Sequence, residues 1–179
     1  PGNIVVFGEY EQDNNPDNGA ELIEWLVLDV NEKGEALVLS LYALAGGSVN
    51  PTVGTANEPI FWSNSELRRW LNDEFIYAYN GAFGYYERVY IAESLVTADG
   101  NSRASYVYDG EDTVDDVFLL SEAEAAKYLM GSPYIRCAPT AYAKATGDIY
   151  TNGDAPTERG EQTCSWWLRT VGGDPNKCE

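Results

Sequence analysis

A chain of 179 residues with 44% hydrophobic content can close one sizeable core and is too short for two comfortable ones, so a single domain over residues 1–179 is expected. Its 29 acidic residues against 11 basic ones give a formal charge of −18, which repels phosphate backbones and argues against nucleic acid as a partner. The absence of any run of about 18 apolar residues argues against membrane insertion. Histidine is absent, which removes the usual general base near neutral pH, every histidine-activated nucleophile and the commonest zinc ligand.

In chain order, NIVVFGEYEQD reads as a strand from Ile4 to Phe7, broken at Gly8 and followed by the loop NNPDNG. LIEWLVLDV then alternates Ile23, Trp25 and Val27 against Leu22, Leu26 and Leu28, with both faces of its second half apolar. NEKGE supplies turn chemistry and ALVLSLYAL returns, so residues 22–42 form a β-hairpin near the sheet centre. A Gly/Ser/Asn/Pro/Thr-rich loop runs from Gly46 to Glu58.

FWSNSELRRWLNDEF carries the clearest helix signal. Ser63 with Glu66 makes a capping box, Leu67, Trp70, Leu71 and Phe75 share one face, and Arg68, Arg69 and Asn72 face outward. A short amphipathic stretch over Tyr85–Ile91 and a strand over Leu95–Thr97 follow, then SRASYVYDGEDTVDD, then VFLL as a compact buried strand. Ser121 with Glu124 repeats the capping box ahead of EAEAAKYLM, which Gly131 stops. PTAYAKATG is a further short helix, with Pro139 in its first turn and Gly147 past its end. A polar loop leads to CSWWLRT. This order of strands and helices is that of an α+β domain.

Several of these segments, VFGEYEQD, IEWLVLDV, LRRWLNDEF, DTVDDVFLLSEAEAAKYL, APTAYAKATG and CSWWLRT, occur in that order across nearly the whole chain. Together they resemble a domain of unknown function common in surface and secreted proteins of gut Firmicutes, whose signature segment is WWLRS. The resemblance implies a C-type-lectin-like core, shared at the level of fold with formylglycine-generating enzymes. That core is a mixed or antiparallel sheet with two to three short helices and long loops, in a protein at the cell surface or outside the cell. Members continue past WWLRS through further strands, whereas this sequence stops at NKCE, so the resemblance implies that a C-terminal hairpin is lacking.

On a strand, Cys164, Trp166 and Leu168 would point one way, and Ser165, Trp167 and Arg169 the other. The first set suits a core. In the second, Trp167 and Arg169 are same-face neighbours able to meet a ligand together. With Tyr106, Tyr108 and Tyr150 they make the expected ligand-binding set, on a face built from the loops after Gly46, Tyr106 and Tyr150. A buried arginine in so acidic a chain would instead serve an internal ion pair, as Arg136 or Arg169 would if enclosed.

The acidic run YDGEDTVDD offers Asp109, Glu111, Asp112, Asp115 and Asp116 as hard oxygen ligands for calcium, the one cofactor the sequence suggests, against the plainer reading of a solvated turn. Of the three cysteines, Cys137 and Cys164 are the pair that the family fold could bring together, and Cys164 with Cys178 competes. The reading that follows is a non-catalytic extracellular recognition module for a glycan or protein ligand. Its alternatives are a structural or spacer domain of a larger surface protein and a carboxylate-based hydrolase, which needs only two carboxyl groups at the right separation.

Overall fold

A computed structural model of the chain describes residues 1–47, 60–98, 110–147, 149–151 and 156–170. In chain order its strands are β1 (Ile4–Tyr10), β2 (Glu21–Val30), β3 (Ala36–Ser40), β4 (Tyr42–Ala43), β5 (Ser94–Val96), β6 (Thr113–Asp115) and β7 (Ala138–Pro139). The α-helices are α1 (Glu66–Trp70), α2 (Glu122–Leu129) and α3 (Ala141–Thr146). The fold is α+β. Two compact units divide the chain: Pro1–Gly47 with Gly81–Tyr90 and Gly131–Trp166, and Ser48–Asn80 with Ile91–Met130 and Trp167–Glu179.

The first unit is built on an antiparallel sheet in the order β1-β2-β3. Its central strand is the one whose sequence is apolar on both faces, and Ile23 and Trp25 through Leu28 are all buried. The hairpin turn closes as expected. The Asn31 backbone N–H donates to the Glu35 carbonyl at 2.9 Å, while the Asn31 side-chain oxygen accepts from the N–H groups of Lys33 and Glu35, both at 3.0 Å.

Strand β1 does not break at Gly8 but continues through it, with a register shift between Val6 and Glu9. Gly8 sits at φ +74°, and a Cβ there would lie 2.5 Å from the Phe83 ring and 2.6 Å from the Ala82 carbonyl oxygen. The bulge thus lets residues 81–90 dock on β1. The Glu9 N–H donates to the Ala82 carbonyl at 2.8 Å, and the Phe83 ring packs 5.1 Å from Phe7 and 6.3 Å from Trp25.

A short parallel pairing joins β4 to β7 and leads into α3, which Thr140 caps by accepting from the Ala143 N–H at 3.0 Å. Pro139 therefore belongs to β7 rather than to the helix. Gly147 ends α3 in extended conformation, so its role is not a left-handed stop. A Cβ on it would fall 2.3 Å from the Gly46 Cα, and the absence of a side chain is what lets the two backbones touch.

In the second unit the first helix starts later than its sequence suggests. Trp62–Asn64 forms a 3₁₀ turn in which the Asn64 side chain accepts from the Phe61 N–H at 2.7 Å, so the cap passes from Ser63 to Ser65, whose hydroxyl accepts from the Arg68 N–H at 3.1 Å. After Trp70 the helix widens into a π turn, Leu71–Phe75, which buries Leu71 and Phe75. The capping box of α2 is as read: the Ser121 N–H donates to the Glu124 carboxylate at 2.8 Å, and the Glu124 N–H donates to the Ser121 hydroxyl at 3.2 Å. Gly131, at φ +79°, follows the helix end.

Two expected elements are differently made. The strand read over VFLL lies earlier, at Thr113–Asp115, paired antiparallel with β5. The backbone of Val117–Leu120 is bonded instead by the Asn72 side chain and by Arg169, and among the described residues no strand pairs with it. The amphipathic stretch at Tyr85–Ile91 forms turns and one 3₁₀ turn, Arg88–Tyr90, rather than an α-helix.

Replacing Gly8 by alanine forces a side chain into both a left-handed backbone and the Phe83 ring. We expect a loss of about 2–5 kcal/mol in urea unfolding. Gly34→Ala, at φ +83° with open space around it, should cost only about 1–2 kcal/mol.

Candidate functional site

The segment CSWWLRT does not form the expected strand. Among the described residues only Cys164 of this segment makes bridges, to Cys137 on one side and Thr151 on the other, within the first unit. Beyond it Trp167 is 39% exposed, whereas Arg169 is 3% exposed. The two are therefore not outward neighbours.

Arg169 is instead enclosed in an ion pair within the second unit. One terminal guanidinium nitrogen donates to Glu124 Oε2 and, at 2.7 Å, to the Leu119 carbonyl; the other donates to Glu124 Oε1 at 2.8 Å. The guanidinium carbon lies 5.8 Å from the Phe118 ring centre. This is the ion-pair role that the sequence assigns to a buried arginine, and it takes Arg169 out of any surface ligand set. Burial alone would raise the Glu124 carboxyl, but the Arg169 guanidinium and the N–H of Ser121 outweigh it and hold the group below its ordinary value of 4.5.

The acidic run is split by strand geometry. Glu111 and Asp112 are exposed, Asp112 accepting from the Ala98 N–H at 2.8 Å, and Asp116 accepts from the Tyr77 hydroxyl at 2.5 Å. Asp115 is turned inward and fully buried. It accepts from Trp62 Nε1 at 2.8 Å, Arg68 Nε at 2.7 Å and the Thr113 hydroxyl at 2.6 Å. Arg68, expected to face outward, is drawn in by this carboxylate. Asp115 therefore does not share a calcium-facing surface with Glu111 and Asp112. Tyr106, Tyr108 and Asp109 lie outside the described residues, as does Cys178; Tyr150 is exposed.

Among the described residues, Glu11, Asp13 and Glu21 place ligand atoms within 4.8 Å of one another. Their oxygens already accept from the N–H groups of Gln12, Asp13 and Asn15 and from the Asn18 side chain, which makes them a staple for the β1–β2 connection.

The feature that the sequence reading missed is a tyrosine cluster in the first unit. Tyr85, Tyr86 and Tyr90 are 77%, 82% and 80% exposed, with Val89 beside them, and the Tyr85 and Tyr86 rings meet edge to face at 5.4 Å. Their backbone is held firmly. Glu87 accepts from the Gly84 N–H at 2.7 Å, Arg88 Nε donates to the Phe83 carbonyl at 3.0 Å, and Phe83 anchors the turn beneath. The signal in the sequence is the doublet Tyr85-Tyr86 directly after Gly84, inside the stretch read as amphipathic.

Residues 33–177 match the family described as Domain of unknown function (DUF6273). The chain belongs to this family. The match takes in the tyrosine cluster, both buried ion pairs and CSWWLRT, and it begins within the β2–β3 turn. No curated protein and no solved structure matches the chain.

Two outcomes test the internal charges of this DUF6273 chain. Asp115→Ala leaves the Arg68 charge and the Trp62 N–H without their carboxylate and should cost about 3–5 kcal/mol in denaturant unfolding. The Glu124 carboxyl, lower in the folded than in the unfolded chain, contributes stability that is present above its unfolded value and lost as pH falls through the folded one. Glu124→Gln should therefore flatten the fall of the urea midpoint with pH below 4.5, and an unchanged slope would remove Glu124 from acid unfolding.

Proposed function

We propose that the chain is a non-catalytic recognition module that binds a neutral glycan, with Tyr85, Tyr86 and Tyr90 as its stacking surface. The observation that carries the reading is the exposure of three tyrosines on a turn whose backbone is fixed by Phe83, Glu87 and Arg88. On a fixed backbone a tyrosine has only two side-chain torsions to lose when a sugar face settles on it, so more of the contact energy remains for binding. The formal charge of −18 favours uncharged sugars over uronic acids or sulfated polymers. A lectin-like core, which the sequence's resemblance implies, would suit the same reading and, with it, a place at the cell surface or outside the cell. Trp167, exposed on the second unit, is a further aromatic for the same chemistry. Stacking needs no metal, and among the described residues of the acidic run Glu111, Asp112 and Asp116 are the carboxylates left to meet calcium.

A screen of neutral and anionic glycans, each with calcium and with chelator, tests this on wild type, Tyr86→Ala, the double variant Tyr85→Ala/Tyr86→Ala and Trp167→Ala. The expected result is binding to a neutral glycan that weakens by at least about tenfold in the tyrosine variants while their thermal midpoints stay put. A glycan hit indifferent to these tyrosines, or none at all, would sink the reading and favour a spacer in a larger protein.

A further inference from the structure

Cys137 and Cys164 stand directly opposite each other in an antiparallel bridge, and the Cys164 N–H donates to the Cys137 carbonyl at 2.9 Å. Opposed residues in a hydrogen-bonded antiparallel pair have Cα atoms about 5.5 Å apart and side chains on the same face. That separation lies inside the range of about 4.4–6.8 Å that a disulfide spans. The pair is also held from behind: Cys164 bridges Thr151 as well, and the Ser165 N–H donates to the Tyr150 carbonyl at 3.1 Å. Both cysteines are thiols in this structure, and the Cys137 S–H lies 3.7 Å from the Leu41 carbonyl and 3.6 Å from that of Ala138.

We propose that Cys137 and Cys164 form a reversible disulfide, a modification site that ties the start of β7 to the segment entering Trp166. The oxidant is a small-molecule disulfide. One cysteine of the pair attacks it as the thiolate, one sulfur of the oxidant leaves as a thiol, and the mixed disulfide is resolved by the other cysteine, whose attack releases the second thiol. Two protein thiols are thereby oxidised to one S–S bond, one external disulfide is reduced, and the two protons leave on the released thiols.

The test uses the full chain carrying Cys178→Ser, so that only this pair can react within the molecule. It is treated folded with oxidised glutathione, and separately refolded from the reduced, denatured state in a glutathione redox buffer. Intact mass and non-reducing peptide mapping are the readouts. The expected product has lost two hydrogens, carries a peptide linked through Cys137 and Cys164, and melts about 5–10 °C above its reduced form. Adding Cys137→Ser should stop the reaction at a stable glutathione adduct on Cys164. Two thiols that still alkylate after refolding, or a lasting mixed disulfide with both cysteines present, would overturn the proposal.

Discussion

Cations are the scarce resource in this protein, and where the few arginines go decides much of its structure. A chain with 29 acidic and 11 basic residues could have left its guanidinium groups on the surface as screening for their neighbours. Two of them are instead turned inward. Arg68 meets the fully buried Asp115, and the enclosed Arg169 meets Glu124 with two parallel bonds. A third, Arg159, joins Glu24 on β2 to the Tyr42 hydroxyl of β4, which links sheet to sheet in the first unit. Such contacts are geometrically demanding, and each fixes a segment that has little regular secondary structure of its own.

The second unit shows the consequence most directly. Its connection from β6 to α2 is neither strand nor helix, yet several of its polar backbone atoms find side-chain or distant backbone partners. Asn72 takes the N–H groups of Asp116 and Val117 and gives a hydrogen to the Val117 carbonyl, while Arg169 supplies bonds to the Leu119 and Leu120 carbonyls and Thr170 accepts from the Glu122 N–H. Side chains thus perform the task that a neighbouring strand performs in a regular sheet. A polar residue in the π turn and the arginine of CSWWLRT act as structural elements in all but name.

The sequence was most legible where local rules act alone. The β2–β3 hairpin, the second capping box and the burial of both faces around Trp25–Leu28 follow from alternation, turn residues and cap spacing within a few residues of each other. It was least legible where a distant group reassigns a local signal. Ser63 and Ser65 both precede Glu66 and both look like caps, and the choice between them is made by the Asn64 side chain. Val117–Leu120 has the composition of a strand but its backbone is claimed by Asn72 and Arg169. The same limit governs the candidate site. Alternation within CSWWLRT cannot reveal that Glu124, far earlier in the chain, holds Arg169 inside, nor can helical periodicity reveal that Tyr85, Tyr86 and Tyr90 ride outward on a turn fixed by Phe83.

The contact between Gly46 and Gly147 constrains how the chain can vary over generations. At most packed positions a larger residue on one side can be accommodated by a smaller one opposite, so two sites drift together. Here both partners are already at the minimum: a Cβ on Gly147 would meet the Gly46 main chain, and one on Gly46 would meet the Gly147 Cα as well as the Ile149 side chain. No change at either position can prepare the way for a change at the other. The pair is an evolutionary dead end for substitution, and the end of α3 can be altered only by moving the backbone, that is, by inserting or deleting residues in the connections on either side.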